Sequence, residues 1–126
     1  MLYRMTKPIS RVAHGFSDYT YIPLVAAAPE LAGFTEEKTA TTLCRVLGGN
    51  ILLTSLFTRA EWGLFKLLPF KAHLMADAGV GAFALSAPWL FGFAKNARAR
   101  NAFLAIGAIG LMAGLLSEPE EMPERK

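Results

Sequence analysis

The sequence repeats itself. Shifted by 59 residues without a gap, it lays SAPWLFGF (Ser86 to Phe93) on AAPELAGF (Ala27 to Phe34). The same shift pairs Ala13 with Ala72, His14 with His73, Asp18 with Asp77, Ala28 with Ala87, Pro29 with Pro88 and Leu31 with Leu90. It also pairs Gly33 with Gly92, Phe34 with Phe93, Ala40 with Ala99, Gly48 with Gly107, Leu52 with Leu111 and Leu56 with Leu115, which makes 12 identities in the 46 positions from Ala13 to Thr58. An Ala- and Leu-rich composition matches Ala with Ala and Leu with Leu. It does not write H-x-x-x-D and then A-P-x-L-x-G-F, in order and at fixed distance, twice. The chain is a tandem duplication, so whatever fold one unit takes the other must take too, and the two must fit each other.

The solvent for that fold is read from composition. Hydrophobic residues make up 53% of the 126 residues before the 11 glycines are counted, and charged residues 18%. Soluble domains run at about 45–50% apolar with glycine included and about 25% charged. Together with a mean hydropathy of +0.34, this points to lipid. AFLAIGAIGLMAGLLS, Ala102 to Ser117, holds no charge in sixteen residues. As a helix it rises about 24 Å against a hydrocarbon core of about 30 Å, so it must extend back through Ala97 with Arg98 and Arg100 snorkelling. The other apolar stretches are interrupted: Ala72 to Ala94 by Asp77, Thr39 to Thr58 by Arg45 and Asn50, Val12 to Phe34 by Asp18 and Glu30. The duplication recovers them, because a span in one copy implies a span in the other. The expected fold is all-α, an integral membrane four-helix bundle built from two tandem parallel two-helix repeats. The first repeat covers 1–59, the second 60–117, and a polar, flexible tail 118–126. With two spans each, the repeats run in the same direction and are related by an axis along the membrane normal.

A secretory signal is the rival reading of the N-terminus, but Asp18 interrupts its apolar region and Pro29 would follow the cut, so it is rejected. Cys44 has no second cysteine to pair with and no ligand spacing around it. Lys and Arg divide eight to five in favour of the side that carries both ends: Arg4, Lys7, Arg11, Arg59, Lys66, Lys71, Arg125 and Lys126 against Lys38, Arg45, Lys95, Arg98 and Arg100. The bias favours both termini in the cytoplasm. The connection RAEWGLFKLLPFK is too short to span and mixes aromatics with basic residues. It reads as an interfacial helix or turn anchored by Trp62, while Trp89 anchors the opposite interface.

The chemistry rests on few residues. His14 with Asp18, and His73 with Asp77, are spaced i,i+4 and so share a helix face. Two histidines and two carboxylates suit a metal site, a proton relay or a quinone-head pocket; the plainer reading is local pairing near the interface, which is preferred. Gly110 and Gly114 form G-x-x-x-G, and Ala78, Ala82 and Ser86 form a small-residue stripe of the same period, suited to close packing within the chain or against a partner. Glu30 and Arg45 are polar where the second copy has Trp89 and Leu104, and they form a candidate asymmetric pair. No phosphate-binding glycine loop, nucleophile elbow, cysteine-based metal or haem motif or flavin fingerprint is present. No catalytic residue, metal or cofactor is assigned, and nucleic acid is excluded as a partner.

The doubled frame, HGFSD with AAPELAGF and HLMAD with SAPWLFGF, resembles the SPW repeat family of small bacterial membrane proteins. In that family a Ser-Pro-Trp element closes the first helix of each two-helix unit. Here Ala87 stands between the Ser and the Pro, and the first copy lacks both Ser and Trp. The resemblance covers about Val12 to Ser117 and implies a four-helix membrane protein, with no enzymatic activity to carry over. The expected function is a non-catalytic accessory or assembly subunit, lying in membrane lipid and packing against other membrane-protein subunits of a larger complex. The alternative is a small-molecule, quinone or ion-binding bundle, which requires the two His/Asp pairs to meet around a shared cavity.

Overall fold

The computed structural model describes residues 6 to 122. Arg4, Arg125 and Lys126 of the basic residues counted above lie outside the described residues. The described chain is all-helical, without a strand: α1 Arg11–Ala26, α2 Ala28–Ala32, α3 Lys38–Phe57, α4 Phe70–Leu90 and α5 Ala97–Leu116. Two of these, α3 and α5, are long and apolar enough to cross a membrane. The bounds keep the 59-residue shift: α1 and α4 start at 11 and 70, and α3 and α5 run from 38 to 57 and from 97 to 116.

Local chemistry sets these limits. The Ser10 hydroxyl accepts the Ala13 N–H at 3.1 Å and the Asn96 side chain accepts that of Ala99 at 3.1 Å, capping α1 and α5. Gly33 and Gly92 take φ of 76° and 78°, left-handed turns that end the first helix of each copy in register with each other. Pro69 cannot cap α4 with a side chain, and the Glu121 carboxylate does so from the far end of the sequence, accepting the N–H groups of Phe70 and Lys71 at 2.8 Å each.

The first helix of the first copy is not continuous from Val12 to Phe34 as expected; it breaks at Ala27. The first copy carries two prolines in this stretch, Pro23 and Pro29, where the second carries Pro88 alone. Pro29 has no N–H to return to Val25, and the Glu30 N–H closes a tighter turn on Ala27 at 3.0 Å. The carbonyl of Ala26, left without its helical donor, is taken by the Arg45 guanidinium. α4 runs straight through the equivalent position.

α1 packs on α3 and α4 on α5. The α4–α5 seam is close enough that a Cβ added at Gly81 would lie 2.5 Å from the Leu111 nitrogen, and one at Gly107 would lie 2.7 Å from the Gly81 oxygen. The expected small-residue stripe is only partly in this seam. Gly114 meets Ala78 and the Leu74 carbonyl, and Gly110 meets Gly81. Ala82 and Ser86 point outward, and the Ser86 hydroxyl bonds back to the Ala82 carbonyl at 3.0 Å. Between the pairs lies a core of Phe34, Ala40, Cys44, Phe93, Ala99 and Phe103.

The two copies close on each other end to end. The Ile9 N–H donates to the Leu116 carbonyl at 3.2 Å, and the Glu118 N–H donates back to Ile9 at 2.7 Å. At the shifted positions the Leu68 N–H donates to Phe57 at 2.7 Å and the Arg59 N–H to Leu68 at 2.7 Å. The start of each copy is thus tied to the end of the other. The stretch from 118 to 122 does not behave as a loose tail: Glu118 is buried and accepts the N–H groups of Thr6 and Lys7 at 2.7 and 2.8 Å, while Glu121 caps α4.

Candidate functional site

His14 and Asp18 occupy the first turns of α1, and His73 and Asp77 the first turns of α4. The packing of the copies brings all four to one place. His14 and His73 are each 1% exposed, Asp18 6% and Asp77 8%. The stronger bonds run between copies: His14 Nε2 lies 2.8 Å from Asp77 Oδ2, and His73 Nε2 lies 2.7 Å from Asp18 Oδ2. The expected i,i+4 contacts are present but longer, at 3.2 Å for His14 to Asp18 and 3.1 Å for His73 to Asp77. Nitrogen and oxygen therefore alternate around a four-membered ring. Local pairing, the plainer reading of the spacing, describes its weaker half.

Each imidazole is held from behind by a hydroxyl that the sequence reading missed. His14 Nδ1 lies 2.6 Å from Ser117 Oγ, and His73 Nδ1 lies 2.6 Å from Thr58 Oγ1. Thr58 and Ser117 are 59 residues apart. They are not identical, which hid them, but both carry a hydroxyl, and that is the signal a chemical rather than a literal comparison would have found. Each hydroxyl donates its single proton to a helix carbonyl, Ser117 to Ala113 and Thr58 to Thr54. It can then only accept from the imidazole, so Nδ1 carries a proton on both rings. A neutral ring protonated at Nδ1 turns a bare Nε2 lone pair towards carboxylate oxygens within 2.8 Å, acceptor against acceptor. The ring thus requires positive charge at its centre. Phe70 packs its ring against both imidazoles, edge-on to His14 with centroids 5.6 Å apart and stacked on His73 at 6.2 Å.

One side of the ring opens. A cleft of about 250 Å³ runs between α1, α3, α4 and α5, walled by Leu24, Ile51, Val80, Ile106 and Ile109. Both carboxylates line it and neither imidazole does. The Tyr21 hydroxyl donates to the Ile106 carbonyl across this cleft, tying α1 to α5.

The remaining candidates lie elsewhere. Arg45 grips Glu30 through two bonds of 2.7 and 2.6 Å at the α1–α2 break, both side chains half exposed. Trp62 covers Gly15, donates its indole N–H to the Val12 carbonyl at 3.0 Å and accepts the Tyr19 hydroxyl on its own carbonyl at 2.8 Å. Its segment is a series of turns rather than a helix. Trp89 is exposed near the end of α4.

The SPW repeat domain matches residues 13–117, a span that includes all four ring residues and the hydroxyls behind them. The chain belongs to the SPW repeat family. That membership, with two helices apolar enough to cross a bilayer, marks it as a membrane protein. Comparison with curated proteins and with solved structures finds no match.

Proposed function

We propose that this SPW repeat protein is a non-catalytic, multi-pass protein of the bacterial inner membrane whose His/Asp ring holds a small ligand bearing positive charge or hydrogen-bond donors. In this reading it is a four-helix bundle of two tandem parallel repeats, 1–59 and 60–117, with both termini cytoplasmic. The first span is α1 with α2, and the others are α3, α4 and α5; α3 alone, at 20 residues, rises about 30 Å. The observation that carries the functional part is the meeting of four ionisable side chains at the seam between the copies, nine-tenths buried, with their two carboxylates on an apolar cleft. Such groups are costly inside a bilayer and mark ligand or ion sites there by default. Carboxylates at the mouth favour cations and donors over anions. Native mass spectrometry of the gently extracted protein tests this: a bound non-protein mass is expected on wild type and not on Asp18→Asn/Asp77→Asn. Wild type without any adduct, in detergent and in lipid, refutes it.

A second reading, an accessory subunit of a larger membrane complex, is favoured by one observation. Gly110 and Gly114 are occupied within the chain, but Ala82 and Ser86 leave a small-residue patch exposed on α4. A photo-crosslinker at position 82 that captures only lipid in native membranes would rule that reading out.

A further inference from the structure

We propose that the occupant of the ring is a divalent first-row transition ion of the zinc class, bound by Nε2 of His14 and His73 and a carboxylate oxygen of Asp18 and Asp77. This rests on the reading of the ring as a ligand site and specifies the ligand. The four ligand atoms lie within 4.8 Å of one another, and among the described residues this is the one such grouping of histidine, cysteine and carboxylate side chains.

Three features of the ring argue for a metal rather than another cation. The first is scale. Ligand atoms bonded at about 2.0–2.1 Å to an ion are separated by about 2.9 Å in a square and about 3.4 Å in a tetrahedron. Neighbouring atoms around the ring are 2.7 to 3.2 Å apart, so an ion fits between them with displacements of a few tenths of an ångström. An ammonium or guanidinium group has no such room. The second is the back side. The hydroxyls of Ser117 and Thr58 accept from Nδ1 and hold each imidazole with Nε2 facing the centre, the tautomer a metal needs, fixed as outer partners fix ligating histidines. The third is charge. One dication with neutral imidazoles balances the two carboxylates, replacing two protons without changing the net charge of the ring.

The donor set also selects. Two imidazoles and two carboxylates suit zinc, cobalt, nickel or iron(II); magnesium and calcium prefer all-oxygen cages, and copper(I) prefers sulfur. The cleft supplies the approach, since the ion meets the carboxylates first and the imidazoles behind them.

The test uses the full chain, solubilised and stripped with a chelator. Cobalt(II) is the probe. One equivalent is expected to bind per chain with the intense visible bands of four-coordinate nitrogen and oxygen ligation, to be displaced one for one by zinc, and to be unaffected by a large excess of magnesium. His14→Gln/His73→Gln, which keeps hydrogen-bonding side chains in place, is expected to lose the bands while retaining helical circular dichroism. Should that variant not fold, X-ray absorption at the zinc edge of the wild type decides: two imidazoles in the first shell support the inference, and a shell without imidazole overturns it. Wild type that gives no bands above the level of the variant, or bands removed by magnesium, also overturns it. An organic adduct in native mass spectra, lost on Asp18→Asn/Asp77→Asn, with cobalt ignored, would remove the metal and leave the ligand site standing.

Discussion

Gly81→Ala tests the packing on which the ring depends. An added methyl group would sit 2.5 Å from the Leu111 nitrogen, 2.8 Å from the Gly107 oxygen and 3.0 Å from the Leu111 Cα. All three are backbone atoms of α5, so no side chain can rotate away, and van der Waals contact is restored only if α5 retreats by roughly 1 Å. Such overpacking costs about 1–3 kcal/mol, and the rigid partner places this site at the upper end. Alanine gains about 1 kcal/mol over glycine in a helix. The net expectation is a loss of about 2 kcal/mol, roughly thirtyfold in the folding equilibrium. Gly49→Ala is the control. No atom lies within 4 Å of its added methyl, so it keeps the propensity gain without the clash. Both are measured by reversible unfolding in mixed micelles. The retreat of α5 would also carry Ser117 away from His14, so Gly81→Ala should weaken whatever the ring binds. If Gly81→Ala is as stable as Gly49→Ala, the close α4–α5 approach described here is wrong.

Other expectations follow from individual contacts. Thr58→Val and Ser117→Ala each leave a buried Nδ1–H without its acceptor and should each destabilise by about 1–3 kcal/mol, by similar amounts because their surroundings correspond; the same unfolding assay checks this. Arg45→Leu, which takes the residue of the second copy, should leave global stability unchanged, since its pair with Glu30 is half exposed, but should speed amide exchange of α2 beside the Ala27 break. The Arg11 guanidinium beside Glu61 holds that carboxyl below the usual carboxylate range. The pair therefore contributes above that range and its contribution is lost as pH falls through the lowered value, so Glu61→Gln should cost about 0.2–1 kcal/mol at neutral pH and nothing in acid.

Much of this fold was legible because the chain states it twice. The shift that pairs His14 with His73 and Asp18 with Asp77 also fixes where α3 and α5 begin and end. The residues of the ring were legible too, but not their partners. Helical spacing reports neighbours along one helix, and it cannot report that His14 bonds more closely to Asp77 than to Asp18. The break at Ala27 lies where the first copy carries two prolines, Pro23 and Pro29, and the second only Pro88, the shifted counterpart of Pro23 being Ala82. It was missed because Pro29 has its counterpart Pro88 in the unbroken α4, and because the donor that takes the freed Ala26 carbonyl, Arg45, lies in a different helix. Gly107 was visible as the repeat partner of Gly48, but the G-x-x-x-G spacing of Gly110 and Gly114 drew attention one turn away from the closest approach. Glu118 and Glu121 looked like solvated tail residues because their partners, backbone N–H groups at 6, 7, 70 and 71, leave no mark in the side-chain pattern.

The cross-closure of the copies bears on where such a site can come from. Each half carries one imidazole, one carboxylate and the hydroxyl that orients the other half's imidazole. A single hairpin of this kind therefore owns no ring, only complementary halves of one, and two identical hairpins facing each other across a twofold axis would complete it. The linker from 58 to 69 makes that pairing internal and permanent. It fixes the halves at one to one and lets positions away from the axis, such as Glu30 and Trp89, take different residues, whereas a change at His14 or Asp77 alters a single shared centre for both halves at once.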